Sequence, residues 1–380
     1  MSDDSLEQIL TSVQALLDRR LPPDEIRRRD EQHIPPYDLV PDLAELGLIR
    51  AAIPEAFGGL GLAWSTMCRI QETIAAHAFF ACSIINRFVC FGAMPIINAG
   101  SPEQQRDLLP GILAGETLVA LALTEPSAGS DARAVTTRAV KTAGGWLVSG
   151  RKTWISDADH AAYLLTLCRT PPSDGGSRSS YTALLVPRQA AGVAMTPIPK
   201  IGNHCMPSWD IGFDDVFVPD ALVLGPVGKG FQTITGTLKY SRAAVSAGVV
   251  GTAQAAFDLA RHHALERVQF GKPIAGFQVI KHRLVDMHIE ITRARLMVRE
   301  LARMIDAGEP ADAMGAMTKA STTDMLQMVT QHGMQIMASA GYAAESPMQR
   351  YWRDSRLYSF GEGSNEIQKE IVAKALGLPT

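Results

Sequence analysis

The spacing of apolar residues changes twice along the chain, and these two changes limit the folds that are available to it. Before about residue 117 the spacing is helical, as in the stripe formed by Leu6, Ile9, Leu10, Val13, Leu16 and Leu17. From Leu118 onward, short alternating runs are separated by Gly, Asp, Ser and Pro, which is typical of strands. Helical spacing returns after a glycine-rich crossing at residues 224–231. The pattern indicates helices, then strands, then helices.

We therefore predict an α+β multidomain protein with an N-terminal helical domain (1–117), a middle β domain (118–228) and a C-terminal helical bundle domain (229–380). Short strands joined by tight turns favour an antiparallel, barrel-like middle domain. Residues 64–100 are long enough for two buried helices with a break near Gly92 and Pro95, and residues 173–180 are predicted to be a polar hairpin loop. A seam at spacings of four and three predicts bundle packing for Ile280, Leu284, Met287, Ile291, Ala294, Val298, Leu301 and Ile305.

Composition excludes several classes of function. The 380 residues are 46% hydrophobic and 20% charged with a net charge of −3, so nothing favours a nucleic acid or an anionic membrane as partner. The five cysteines show no C-x-x-C pair and are interpreted as buried thiols, without a metal site. The N-terminus lacks the basic start and apolar run of a signal peptide, and we expect a cytoplasmic protein.

Four segments could carry chemistry, although the sequence has no Rossmann, P-loop, H-E-x-x-H or G-x-S-x-G motif. Residues 121–131 (LALTEPSAGSD) combine a strand with a loop of small residues that a flat or anionic ligand could approach. Residues 152–156 (KTWIS) offer an indole for a planar ring. Residues 266–273 (ERVQFGKP) offer Arg267 for phosphate oxygens and an aromatic face. Near the C-terminus, Glu362 lies between glycines, with Ser364 or Asn365 as a predicted helix cap. Any one of these segments could equally be a surface turn or a packed core.

Taken together and in this order, the motifs resemble those of the acyl-CoA dehydrogenase family over residues 43–378. They are ALTEPSAGSD (122–131), WIS (154–156), FDDVFVP (213–219), ERVQFGKP (266–273), and RD (353–354) followed by GEGSNEIQ (361–368). The resemblance implies a C-terminal four-helix bundle and FAD in the cleft between domains. It also implies an acyl thioester substrate, an electron-transfer flavoprotein as partner, and a homodimer or homotetramer whose subunits share each flavin site.

By matching position, the resemblance assigns residues to four regions of the expected site. Those facing the flavin or its ribityl chain are Leu123, Thr124, Gly129, Ser130, Trp154 and Ser156. Those for the pyrophosphate and adenosine end, across a subunit boundary, are Arg267, Phe270, Gln278, Gln335 and Ser339. Those flanking the cofactor near the active loop are Ser364 and Glu366, while Ser130, Arg242 and Gly363 are expected at the substrate.

The same resemblance implies the mechanism. Glu362 takes the α-proton as general base while flavin N5 accepts the β-hydride, and the Glu362 backbone N–H donates to the thioester carbonyl. Some members carry the base just before the bundle arginine instead. Here Ser241 precedes Arg242, so the prediction rests on Glu362.

Two departures from the main β-oxidation branch leave alternatives open. Residues 338–342 read ASAGY where Gly-Gly-x-Gly-Tyr is usual, and Phe360-Gly361 precedes the base where an aromatic is usually adjacent. Both indicate a specialised branch, and a thioester on an acyl carrier protein is an alternative substrate. A flavin monooxygenase and a flavin-free helical scaffold are two further alternatives.

Overall fold

The computed structural model describes residues 3–171 and 180–379. All but the last residue of the predicted polar loop at 173–180 therefore lies outside the described residues. The N-terminal part is helical, as predicted. Its helices are α1 (Asp3–Arg20), α2 (Pro23–Gln32), α3 (Val40–Glu45), α4 (Trp64–His77), α5 (Phe79–Asn86), α6 (Met94–Ala99) and α7 (Pro102–Leu113).

Local sequence explains several of the helix boundaries. Pro22 and Pro23 separate α1 from α2, with Pro23 as the first residue of the new helix, where its missing N–H costs nothing. At the start of α7, the Ser101 side chain accepts from the Gln104 backbone while the Gln104 side chain accepts from the Ser101 backbone. This reciprocal capping satisfies two of the N–H groups that a helix start leaves unpaired.

The break predicted near Gly92 and Pro95 is in the wrong place. The chain leaves helical geometry at Ala78 (φ −154°, ψ 107°), between α4 and α5, and then continues through a π-helical segment (Arg87–Ala93) directly into α6. Pro95 lies in the first turn of α6, where the wider π turn has already displaced the α-helical hydrogen bond that a proline would interrupt.

The middle domain is an eight-stranded mixed sheet. Its strands are β1 (Val119–Ala122), β2 (Arg138–Thr142), β3 (Gly145–Ser156), β4 (Tyr163–Thr170), β5 (Ser180–Pro187), β6 (Val193–Pro197), β7 (Ser208–Pro219) and β8 (Val223–Leu224). The order is β6-β7-β3-β2-β4-β5-β8, with β1 beside β4. Most pairs are antiparallel, as predicted, but β1–β4 and the single β2–β4 pairing are parallel. The antiparallel arrangement predicted for this domain therefore holds except at these two pairs, because strand neighbours depend on long-range packing that local alternation does not encode.

The C-terminal part returns to helices around a short hairpin. Its elements are α8 (Gly230–Thr235), α9 (Leu238–Glu266), β9 (Val268–Gln269), β10 (Lys272–Pro273), α10 (Gln278–Asp306), α11 (Asp312–Met337), α12 (Ser339–Tyr342), α13 (Pro347–Ser355) and α14 (Asn365–Ala375). The predicted seam is buried at Met287, Ile291, Ala294, Val298 and Leu301, while Ile280, Leu284 and Ile305 pack half-buried at its ends. The α9–α11 pair forms the centre of this bundle.

Two long apolar helical stretches, 79–99 and 230–266, have the length and composition of membrane spans. In this fold most of each stretch is packed inside the protein. Helix α9 approaches α4 so closely that a Cβ on Gly251 would lie 2.1 Å from the Glu72 carbonyl oxygen, so only glycine fits there. All five cysteines are free and buried.

Candidate active site

Glu362 lies on a strained turn between α13 and α14. Its own φ is 55° and that of Gly363 is 87°, so the chain passes through two consecutive residues in the left-handed region. Gly363 adopts such an angle without strain, whereas Glu362 does not. A non-glycine residue there costs on the order of 1 kcal/mol or more, and such strain is concentrated at functional sites. Ser364 caps α14 by accepting from the Ile367 N–H at 3.4 Å, which confirms the predicted cap.

The Glu362 carboxylate receives a hydrogen bond from the bundle. The Ser241 hydroxyl, in the first turn of α9, donates to Glu362 Oε2 at 2.5 Å, and Ser241 is only 1% exposed. Ser241 occupies the position just before Arg242 where other members of the resembled family carry their base. Glu362 and the residue at this alternative position are therefore in direct contact.

The backbone around Glu362 is anchored from α11. Lys319 is 1% exposed, and its Nζ donates to the Gly363 carbonyl at 2.8 Å and to Asn365 Oδ1 at 3.0 Å. Burial lowers the pKa of Lys319 to about 8, against the opposing effect of the Glu362 charge. The Gln368 amide donates to the carbonyls of Glu362 and Gly363 at 3.2 and 3.0 Å. Buried donors on α11 and α14 therefore hold the turn.

Arg242 lies beside this turn, and one of its guanidinium nitrogens has no hydrogen-bond partner among the described residues. It is 6% exposed, and its buried Nε has no hydrogen-bond partner within the described structure. Burial lowers the pKa of Arg242, while the carboxylates of Asp312 and Glu362 act in the opposite direction. The predicted substrate residues Arg242 and Gly363 are therefore both close to Glu362.

A second group of predicted residues meets at the end of β1 in the middle domain. The Thr153 N–H donates to the Thr124 carbonyl at 2.9 Å, which places the β1 end against the part of β3 that carries Trp154. Trp154 has φ 60° and lies where the β3–β7 register shifts between Lys152 and Ile155. A bulge of this kind redirects a side chain out of the sheet, and the Trp154 side chain is 54% exposed.

The buried ion pair between Lys152 and Glu125 lies next to this group of residues. Lys152 Nζ donates to Glu125 Oε1 at 2.8 Å and to the Leu123 carbonyl at 3.0 Å, and both charged side chains are at most 1% exposed. Glu125 also accepts from the Thr136 N–H and hydroxyl and from the Thr137 N–H, at 2.7–2.9 Å. Burial alone would raise the pKa of Glu125, but hydrogen bonds from Lys152 and Thr137 lower it to about 2.

The other predicted residues of the middle domain lie near the same edge. Gly129 and Ser130 are exposed in the loop after Glu125, and a Cβ on Gly129 would meet no atom within 4 Å. Ser156 is half-buried as the last residue of β3. The loop is thus open on the side where the small residues leave room for a ligand.

The middle domain is tied to the segment that leads to Glu362 by Asn203. The Asn203 N–H donates to Asp354 Oδ1 at 2.6 Å, and its amide donates to the Asp354 carbonyl at 3.2 Å. Its Oδ1 accepts from the Tyr358 hydroxyl at 2.6 Å. Burial raises the pKa of Asp354 to about 6, against the hydrogen bond from Asn203. We call these three residues the Asn203 clamp.

A third group of predicted residues lies at the far end of the bundle. Phe270 (φ 51°) and Gly271 (φ 77°) form the two-residue turn of the β9–β10 hairpin, with positive φ at both positions as a type I′ turn requires. The turn leaves the Phe270 ring 92% exposed, and Arg267 and Gln278 are exposed beside the hairpin. The Phe270 ring meets the edge of the Phe277 ring at a centroid distance of 6.0 Å, and most of its surface faces outward.

Gln335 and Ser339 are exposed at the C-terminal end of α11. Helix α11 packs along α10. Burial, and after it the charge of Arg283 on α10, lower the pKa of His332 in the last turns of α11. Between Gln335 and Ser339, Ala338 has φ 51° and ψ −130°, angles that favour glycine. The substitution noted in this stretch therefore places a methyl group on a glycine-type backbone.

Sequence reasoning missed the roles of Ser241, Lys319 and Asn203. A signal existed for Lys319, which is the only charged residue in the run of small and apolar residues from 313 to 323. A lone lysine in such a run is a candidate for burial with a partner. Ser241 and Asn203 carried no comparable signal, because their partners lie more than 100 residues away in sequence.

Family models match almost the whole chain. Those for the acyl-CoA dehydrogenase N-terminal, middle and C-terminal domains match residues 3–116, 120–216 and 228–377. The chain belongs to the acyl-CoA dehydrogenase family. This acyl-CoA dehydrogenase is 32% identical over 371 residues to glutaryl-CoA dehydrogenase of Desulfococcus multivorans, covering 97% of this chain and 95% of that one.

Solved structures agree with this assignment. A chain in the structure of the electron transferring flavoprotein of Acidaminococcus fermentans matches with TM-score 0.93 and 29% identity over 99% of this chain and 98% of the other. The FAD complex of PigA matches with TM-score 0.92 and 26% identity over 100% and 98%. The family uses FAD to oxidise a CH–CH bond of an acyl thioester, so this acyl-CoA dehydrogenase is an oxidoreductase with FAD as its cofactor.

The residues present fit a flavin. The half-exposed Trp154 indole offers a flat face for the flavin ring, and Thr124 and Ser156 offer hydroxyls at the same edge of the sheet. The open space at Gly129 allows close approach to the backbone. At the far end of the bundle, Arg267 is an exposed cation suited to phosphate oxygens.

Proposed function

We propose that this acyl-CoA dehydrogenase removes an α-proton from an acyl-CoA with Glu362 as general base. The observation that carries the proposal is the Glu362 carboxylate itself, which is fixed by Ser241 on a strained turn beside two buried cations, Arg242 and Lys319. When bound, FAD supplies the acceptor for the β-hydrogen.

Buried donors prepare the turn for this role. Lys319 and Gln368 hold the carbonyl oxygens of the turn. The Glu362 N–H has no acceptor among residues 3–171 and 180–379, so we propose that it donates to the thioester carbonyl. A positioned donor to a developing enolate typically contributes about 10²–10³ in rate. The Asn203 clamp fixes the preceding segment against the middle domain that carries Trp154. The base and the proposed flavin plane thus belong to one connected framework.

We further propose that a second copy of the chain covers the far end of the bundle and completes each FAD site in a homodimer or homotetramer. Phe270 is nearly fully exposed, and apolar side chains continue along one face of α10 at Val285, Ile289 and Leu296, each 41–57% exposed. Exposed apolar surface of this extent favours a protein partner. An electron-transfer flavoprotein is the proposed electron acceptor, and the cytoplasm is the proposed location.

Glu362→Gln tests the base directly. The variant keeps the shape and hydrogen-bonding capacity of the side chain but cannot accept the proton. We expect it to purify yellow with FAD and to show a loss of anaerobic flavin bleaching by acyl-CoA of at least about 10³-fold. Glu370→Gln, at an exposed position of α14, is the matched control and should bleach like the wild type.

The same measurement separates the two substrate forms. Matched acyl groups on CoA and on an acyl carrier protein are mixed with the enzyme under anaerobic conditions. Faster bleaching by the CoA thioesters supports the proposal. Bleaching only by the carrier-protein forms would assign the enzyme to a specialised branch, and Glu362→Gln bleaching at the wild-type rate would remove Glu362 from the mechanism.

A further inference from the structure

We infer that Ser241 is a positioning residue for the base: its hydroxyl holds the Glu362 carboxylate in one orientation before substrate binds. This inference rests on the proposed role of Glu362. It is carried by the 2.5 Å hydrogen bond from Ser241 Oγ to Glu362 Oε2 and by the near-complete burial of Ser241.

No other side chain in residues 3–171 and 180–379 donates a hydrogen bond to this carboxylate. Lys319 directs its ammonium group to the Gly363 carbonyl and Asn365 instead. Arg242 influences Glu362 through its charge and makes no hydrogen bond to it. The orientation of the carboxylate therefore depends on a single neutral donor.

A base removes a proton at full rate only when its oxygen is held in line with the substrate carbon. Without the Ser241 hydroxyl, the Glu362 side chain can turn about its own bonds, and fewer of the bound complexes have the base in position. Because the hydroxyl acts on the base and not on substrate binding, the limiting rate of flavin reduction should fall by about 10–100-fold, while the acyl-CoA concentration that gives half of that rate stays the same.

Four other titratable groups interact with this carboxylate through their charges. They are Arg242 on α9, Lys319 on α11, Cys90 on the π-helical segment and Tyr358 before the turn. All four are present in the wild type and in the Ser241 variants alike, so they do not account for a difference in rate between them.

The test is the rate of anaerobic flavin reduction in Ser241→Ala, measured by rapid mixing over a range of acyl-CoA concentrations. Ser246→Ala is the matched control, because Ser246 lies five residues further along α9, is fully buried and has no hydrogen-bond partner in the described structure. We expect the limiting rate of Ser241→Ala to fall by about 10–100-fold with half-saturation unchanged, and that of Ser246→Ala to stay at the wild-type level. Ser241→Thr retains a hydroxyl and should restore the wild-type rate.

A merely structural role for Ser241 would weaken the binding of FAD or substrate, and Ser241→Thr would not restore the rate. That result, or an equal loss of rate in both alanine variants, would overturn the inference. The two levels of the account remain distinguishable. Loss of reduction in Glu362→Gln with an unchanged rate in Ser241→Ala contradicts only the role of Ser241, whereas reduction retained in Glu362→Gln contradicts the proposed base itself.

Discussion

The buried Glu125–Lys152 pair should contribute far more stability to the edge of the middle domain where we propose that the flavin binds than a surface pair of the same length. Lys152→Met keeps most of the side-chain volume but removes the only cation that contacts Glu125 among residues 3–171 and 180–379. The remaining carboxylate is 1% exposed and keeps donors from Thr136 and Thr137. Removing one partner of a buried pair typically costs about 3–5 kcal/mol, because the remaining charge is neither solvated nor balanced.

The structure provides its own control. Lys141 and Asp220 in the same domain form an ion pair of the same 2.8 Å length, but both side chains are 50% exposed. An exposed pair contributes about 0–1 kcal/mol, since water solvates either charge when its partner is removed. Lys141→Met should therefore change stability little, although it removes the same group from a bond of equal length.

The assay is thermal release of FAD, followed by flavin fluorescence. At about 2 °C per kcal/mol for a large domain, Lys152→Met should release FAD about 6–10 °C below the wild type and Lys141→Met within about 2 °C of it. Because the fold lowers the pKa of Glu125 from 4.5 to about 2, the stability from its ionised form is present above pH 4.5 and is lost as the pH falls toward 2. Equal shifts in the two variants would refute the argument from burial.

Three further results are expected. In Asn203→Gly, glycine adopts the local φ of 53° without strain, but the side chain of the Asn203 clamp is lost. Flavin reduction should therefore slow by about 10-fold or more with FAD still bound, and an unchanged rate would contradict the role of the clamp. Since the pKa of Asp354 is raised to about 6, the free energy of unfolding of the wild type should fall, relative to that of Asp354→Asn, as the pH rises from 3.8 to 6. Urea unfolding measures both proteins, and parallel pH curves would contradict the raised pKa. Ala338→Gly should raise the melting temperature by relieving about 1 kcal/mol of strain, and a lower melting temperature would contradict the strain.

The sequence predicts the order of helices, strands and bundle because side-chain periodicity is a local property. The seam from Met287 to Leu301 is buried as expected, and Ser364 caps α14. The parallel β1–β4 pairing and the helix break at Ala78 were not predictable in the same way. Both depend on which elements meet in three dimensions, and the spacing of apolar residues does not contain that information.

In the candidate site, too, local features could be predicted from the sequence and long-range contacts could not. Glu362 could be singled out from its glycine neighbours, whereas its contact with Ser241 joins residues that are 121 positions apart. The Asn203 clamp spans 151 and 155 positions and unites two domains. Motifs identify the residues that carry the chemistry, but the residues that orient them are found only when the chain is folded.

Removal of the α-proton by Glu362 is the central claim, and hydrogen–deuterium exchange at that carbon measures it most directly. An acyl-CoA that has an α-CH₂ group but no hydrogen on its β-carbon is incubated in D₂O with FAD-loaded enzyme, and the α-proton signal is followed by NMR. The account predicts that the wild-type enzyme exchanges this proton and that Glu362→Gln slows the exchange by at least about 10³-fold. Exchange at the wild-type rate in Glu362→Gln would contradict it.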